Sequence, residues 1–127
     1  MEKSIDVAKD YQGRALRALQ EAYTHLENRF LETSVSTAYY ACYYAVYSRL
    51  AALGIKAASH KQVGIQFRRH FIKTKKLLPT FSDTWQKLFK WRMEVDYAPV
   101  PDINLEKATS LVQQAGEFVT SLLKIED

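Results

Sequence analysis

Residues 33–54, TSVSTAYYACYYAVYSRLAALG, decide the fold. The run is rich in alanine and tyrosine, holds no proline, and stops at Gly54, the residue best suited to a left-handed C-terminal cap. At 100° per residue, Tyr39, Tyr40, Tyr43, Tyr44 and Tyr47 fall within an arc of about 140°. Ala38, Ala41, Cys42, Ala45 and Val46 take the remaining arc. The spacing predicts a helix over Thr33–Leu53 whose small residues face neighbouring helices, with the tyrosines at the core edge or in a subunit interface. A stacking platform for nucleic-acid bases is the alternative reading of the same rings.

The flanking segments repeat the helical period. Ile5, Ala8, Ala15, Leu19, Ala22 and Leu26 recur at the three-to-four spacing of one helix face, which predicts a helix over Ile5–Leu26 with Gly13 as its weak point. Ser59 can cap a short helix carrying Val63, Phe67 and Phe71, ended by KTKK and LLP. Thr80 or Ser82 opens a fourth, with Trp85, Leu88, Phe89 and Arg92 on one face, ending near Tyr97 ahead of Pro99 and Pro101. Asn104 can cap the last, which bears Ala108, Leu111, Val112, Ala115, Phe118, Leu122 and Ile125. No stretch alternates with a period of two. The expectation is an all-α, antiparallel four- to five-helix up-and-down bundle forming a single domain over residues 1–127.

With 127 residues and 47% hydrophobic side chains, such a domain closes a core without staples. Cys42 is the lone cysteine, which excludes an intrachain disulfide and a cysteine-based zinc site. His25, His60 and His70 are scattered, with no carboxylate at ligand spacing, so neither a metal nor a cofactor is expected. The opening MEKSIDVAKDYQGR lacks an unbroken apolar segment, and no later run reaches the roughly 18 apolar residues of a membrane span, so a cytoplasmic protein with no membrane partner is expected.

Charge is segregated. Lys56 to Arg92 holds ten Lys/Arg and one acid, Asp83, for +9, whereas the rest holds eight basic and thirteen acidic side chains, for −5, together giving the net +4. A concentrated positive segment raises the local concentration of polyanions. The plainer account is a solvated lysine-rich face. Within this segment His60 follows the cap Ser59, so its imidazole would lie near a helix N-terminus, where backbone N–H groups attract a phosphate. A histidine at the core edge with a satisfied ring nitrogen is the competing account. In WRMEVDY, Trp91 to Tyr97, Arg92 and Asp96 are four apart and can pair across one turn while Glu94 points elsewhere. Pairing orients the guanidinium, whose planar fork matches two phosphate oxygens. A helix-terminal salt bridge beside Tyr97 is the alternative.

Three stretches together resemble the compact stand-alone HEPN proteins: SVSTAYYACYYAVYSRLAALGIK at 34–56, SHKQVGIQFRRHFIKTKKLLP at 59–79, and RMEVDYAP at 92–99. Ala38-Tyr39-Tyr40-Ala41, Ser59-His60-Lys61, Phe71 to Pro79, and Arg92 with Asp96-Tyr97 fit that family's pattern in order. The resemblance implies a helical bundle that often forms a homodimer, with the counterpart of the fourth helix lining a cleft between subunits. Many members are ribonucleases, commonly toxins of two-gene toxin–antitoxin modules, in which four to six residues separate an arginine from a following histidine. Here Tyr97, Ala98 and Pro99 occupy those places, and the residue after the arginine, usually polar, is Met93. Some members partner a minimal nucleotidyltransferase that modifies a nearby tyrosine, whose matching position here is Pro99.

The expectation is therefore a binding protein for RNA or a nucleotide, using Arg92, Asp96, Tyr97, His60, Lys61, Arg68 and Arg69, with no catalytic residue assigned. A metal-independent ribonuclease toxin with a displaced base, taken from His60, is the second reading. A subunit that binds only protein, such as a nucleotidyltransferase, is the third.

Overall fold

The computed structural model describes residues 2–125; Met1, Glu126 and Asp127, the ends of the expected 1–127 domain, lie outside the described residues. Five helices follow one another: α1 (Glu2–Glu27), α2 (Leu31–Ala52), α3 (His60–Phe67), α4 (Thr80–Tyr97) and α5 (Leu105–Leu123). A π-helical turn, Arg68–Ile72, extends α3. Among the described residues there is no strand. The expected all-α bundle is what forms.

The helix that decided the reading is its centre. α2 packs against α1, α3, α4 and α5. Such a position demands a helix without a polar face. Ala38, Ala41, Cys42, Ala45 and Val46 are wholly buried, and their small side chains let the surrounding helices approach. Gly54 terminates the helix at φ +75°, where a β-carbon is unfavourable.

Two boundaries differ from the sequence expectation. α2 begins at Leu31 instead of Thr33, because Arg29 takes a left-handed conformation (φ +64°) and the Phe30 N–H bonds back to the His25 carbonyl, reversing the chain within three residues. The first turn of α1 is not core: Ile5 is 49% exposed, and the buried stripe starts at Ala15. The helix also runs through Gly13 without interruption.

α3 spans only eight residues, too few to be stable alone, and aromatic packing holds it in place. Phe67 lies 5.5 Å from Trp85 of α4 and 5.3 Å from Phe118 of α5, ring centre to ring centre. Pairs of this kind each contribute about 0.5–1.5 kcal/mol beyond the area they bury. Ser59 accepts from the Gln62 N–H and Asn104 from the Lys107 N–H, so both expected caps are made. At α4 no side chain caps the N-terminus; Pro79 stands at that position and Thr80 is the first helical residue.

Candidate functional site

Arg92 sits one turn before the end of α4 and turns inward onto α2. Its Nη2 donates to the Tyr40 hydroxyl at 2.8 Å, and its Nε lies 3.0 Å from Asp96 Oδ2. The angle at Nε is too bent for a hydrogen bond, so the contact with Asp96 is an ion pair. Ser36 of α2 approaches the same carboxylate oxygen at 3.4 Å. The guanidinium carbon lies 5.4 Å from the centre of the Tyr40 ring, and 5.7 Å from those of Tyr39 and Tyr97. Aromatic faces attract a cation in this position, so Arg92 is held by charge, hydrogen bond and ring together.

His60, first residue of α3, enters the same cluster from the other side. Its Nδ1 lies 2.8 Å from the Tyr39 hydroxyl, and its ring stacks on Tyr43 with centres 4.3 Å apart. Burial, and then the positive charge of Arg92, push the imidazole below its ordinary pKa. Tyr39 is fully buried, and burial drives its hydroxyl well above the usual tyrosine range, so it stays protonated. This hydroxyl and His60 Nδ1 share a hydrogen bond whose direction is set by the imidazole tautomer. A hydroxyl that donates to Nδ1 leaves the proton of the neutral ring on Nε2. In that tautomer His60 offers an N–H donor beside a fixed guanidinium.

The concentrated positive charge is partly gathered by the fold. Lys61, Arg68 and Lys90 line a cleft between α3 and α4 in which His60 also takes part. Arg69 is exposed and does not line it, and Lys73, Lys75 and Lys76 are exposed on the turn that follows. Tyr97 is 67% exposed and stands over Arg92.

The five tyrosines do not share one environment. Tyr39 is core and has no surface to give a partner. Tyr44 and Tyr47 pack on Tyr11 of α1, with ring centres 5.7 and 4.3 Å away. Tyr40 and Tyr43 complete the surroundings of Arg92 and His60. The roles of Tyr39 and Tyr40 as hydrogen-bond partners were not read from the sequence. Their signal was present in the AYYA run, since adjacent residues point 100° apart and thus address two different helices.

Fold and site define a small all-helical protein in which one ion-paired arginine and one histidine are brought together from distant segments. The HEPN domain family model matches residues 8–125, and the chain belongs to that family. It is also 28% identical, over 125 residues covering 98% of this chain and 95% of the relative, to the UPF0332 protein of Thermotoga maritima.

Proposed function

We propose that the protein binds RNA, taking a backbone phosphate between Arg92 and His60. The observation that carries this reading is the pairing of an oriented guanidinium with the imidazole of His60, whose Nε2 is a donor when the Tyr39 hydroxyl donates to Nδ1. A guanidinium and an imidazole N–H can each donate to an anion. Lys61 and the N-terminal N–H groups of α3 add to the same potential.

The same bond governs whether His60 could serve as the base of a ribonuclease. A base must accept a proton, and Nε2 does so only in the tautomer whose Nδ1–H donates to the Tyr39 hydroxyl. Binding to a labelled single-stranded oligoribonucleotide, followed by anisotropy over a series of salt concentrations, tests the proposal. Affinity that falls steeply with salt supports it, and absence of salt-dependent binding overturns it. Cleavage of total RNA that Arg92→Ala abolishes would revive the ribonuclease reading.

The biological setting we infer is a two-gene module in which a homodimer meets a nucleotidyltransferase. Met93 and Tyr97, which are 40% and 67% exposed, lie against Arg92, and Val100, 84% exposed, follows α4 in the chain; together these apolar side chains suit the dimer contact.

A further inference from the structure

The cleft between α3 and α4 has a volume of about 470 Å³, within the range of small-ligand sites. One wall is the face of α3 that carries His60, Lys61, Gly64 and Arg68. The other is the face of α4 that carries Trp85, Gln86, Phe89 and Lys90. Its base is rigid: the Trp85 indole is 4% exposed and stacks with Phe67 and Phe118, and half-buried Phe89 is set edge-on to Tyr39 at 5.8 Å. Gly64 sets the width. A β-carbon there would stand 3.1 Å from Trp85 Nε1, so a larger residue would press on the indole and shift it by a few tenths of an ångström.

The chemistry of these walls selects a ligand. Lys61, Arg68 and Lys90 carry positive charge, and no carboxylate lines the cleft to oppose them. An inorganic anion would use these cations and leave the aromatic wall idle. An acyl chain would use the apolar wall and leave the exposed Gln86 amide idle. A flat heterocycle joined to phosphates uses all three, because the ring stacks, the amide offers a donor and an acceptor to the base edge, and the cations meet the backbone. His60 belongs both to this cleft and to the Arg92 cluster, so a phosphate held there leads directly into the cleft.

We propose that the α3–α4 cleft is a base pocket, which receives one unstacked base of a single-stranded RNA whose phosphate lies at His60 and Arg92. This assignment rests on the phosphate-binding reading and adds the base to it. The test compares labelled oligoadenylate with a ribose-phosphate oligomer of the same length that carries no bases. Oligoadenylate should bind roughly tenfold more tightly, the usual worth of a stacked base. Phe89→Ala should remove that difference and leave the base-free oligomer's affinity unchanged. Gln86→Ala, at an exposed position where folding is not at issue, should weaken oligoadenylate several-fold and the base-free oligomer not at all. Equal affinities for the two oligomers, both falling with salt, would overturn the base pocket while the phosphate reading stands. Failure of both oligomers to bind would overturn both.

Discussion

Arg92 Nη2 of α4 donates to Tyr40 Oη of α2 over 2.8 Å, fixing one fork of the guanidinium while Asp96 holds Nε at 3.0 Å. The Arg92 side chain is 16% exposed, so it is a largely desolvated cation that is oriented before any ligand arrives. Orientation prepared in advance lowers the entropic cost of binding.

The contribution of shape can be separated from that of charge at this residue. Arg92→Ala should weaken oligoribonucleotide binding and reduce the salt slope by about 1, as loss of one phosphate contact does. Arg92→Lys keeps the charge but cannot reach Tyr40 and Asp96 together with a phosphate. It should restore most of the slope and little of the affinity. Isothermal titration at several salt concentrations gives both quantities; a lysine variant indistinguishable from wild type would show that only charge matters.

Tyr39→Phe isolates the hydrogen bond that sets the His60 tautomer. Tyr39 is buried and its bond to Nδ1 is short, so stability should fall by about 1 kcal/mol, or roughly 4 °C in Tm. Long-range nitrogen–proton spectra of the imidazole should show protonated Nε2 and bare Nδ1 in the wild type, and a mixture of tautomers in the variant. A wild-type ring protonated on Nδ1 would contradict the donor role assigned to His60.

Most of the fold was legible because helix signals are local. Gly54, Ser59 and Asn104 act within one turn of their own position, and each performs the capping role its residue type suggests. The π-helical turn at Arg68–Ile72 was not legible, since no residue in RRHFI marks the inserted residue. Half of the site was also open to reading. The Arg92–Asp96 pair follows from a separation of four. The Tyr39–His60 and Tyr40–Arg92 bonds span 21 and 52 residues, and no periodicity encodes which helices will face each other over such distances.

The apolar rim predicts an assembly. Tyr97 is exposed over Arg92 and Val100 is exposed three residues on, and joining two copies through them would bring two sites together. Light scattering should give twice the chain mass for the wild type, and a single chain mass for a Tyr97→Arg, Val100→Glu double variant. These side chains are 67% and 84% exposed, so the changes should leave folding intact, as measured by helical circular dichroism. A wild type that is monomeric at high protein concentration would remove the dimer from the proposal.

Stability should respond to pH through His60. Its pKa is lowered by folding, chiefly by burial and next by Arg92, so the unfolded chain binds a proton that the native state resists. The stabilisation is complete above the ordinary histidine value of 6.5 and is lost as pH falls from there through the folded pKa. The groups whose pKa values are raised, Tyr39, Cys42, Tyr43 and Arg92, change charge far above this window. Denaturant midpoints between pH 8 and pH 5 should therefore drop more in the wild type than in His60→Gln, by at most about 1.4 kcal/mol per pH unit, the limit for one proton. In Arg92→Gln one of the two causes is gone while burial persists, so the ring should titrate at a higher pH, closer to 6.5, and the acid loss should shrink. Parallel pH profiles for wild type and His60→Gln would mean that the imidazole pays no penalty for ionising in the native state, and the cluster around it would have to be more open than Tyr43 and Tyr39 make it.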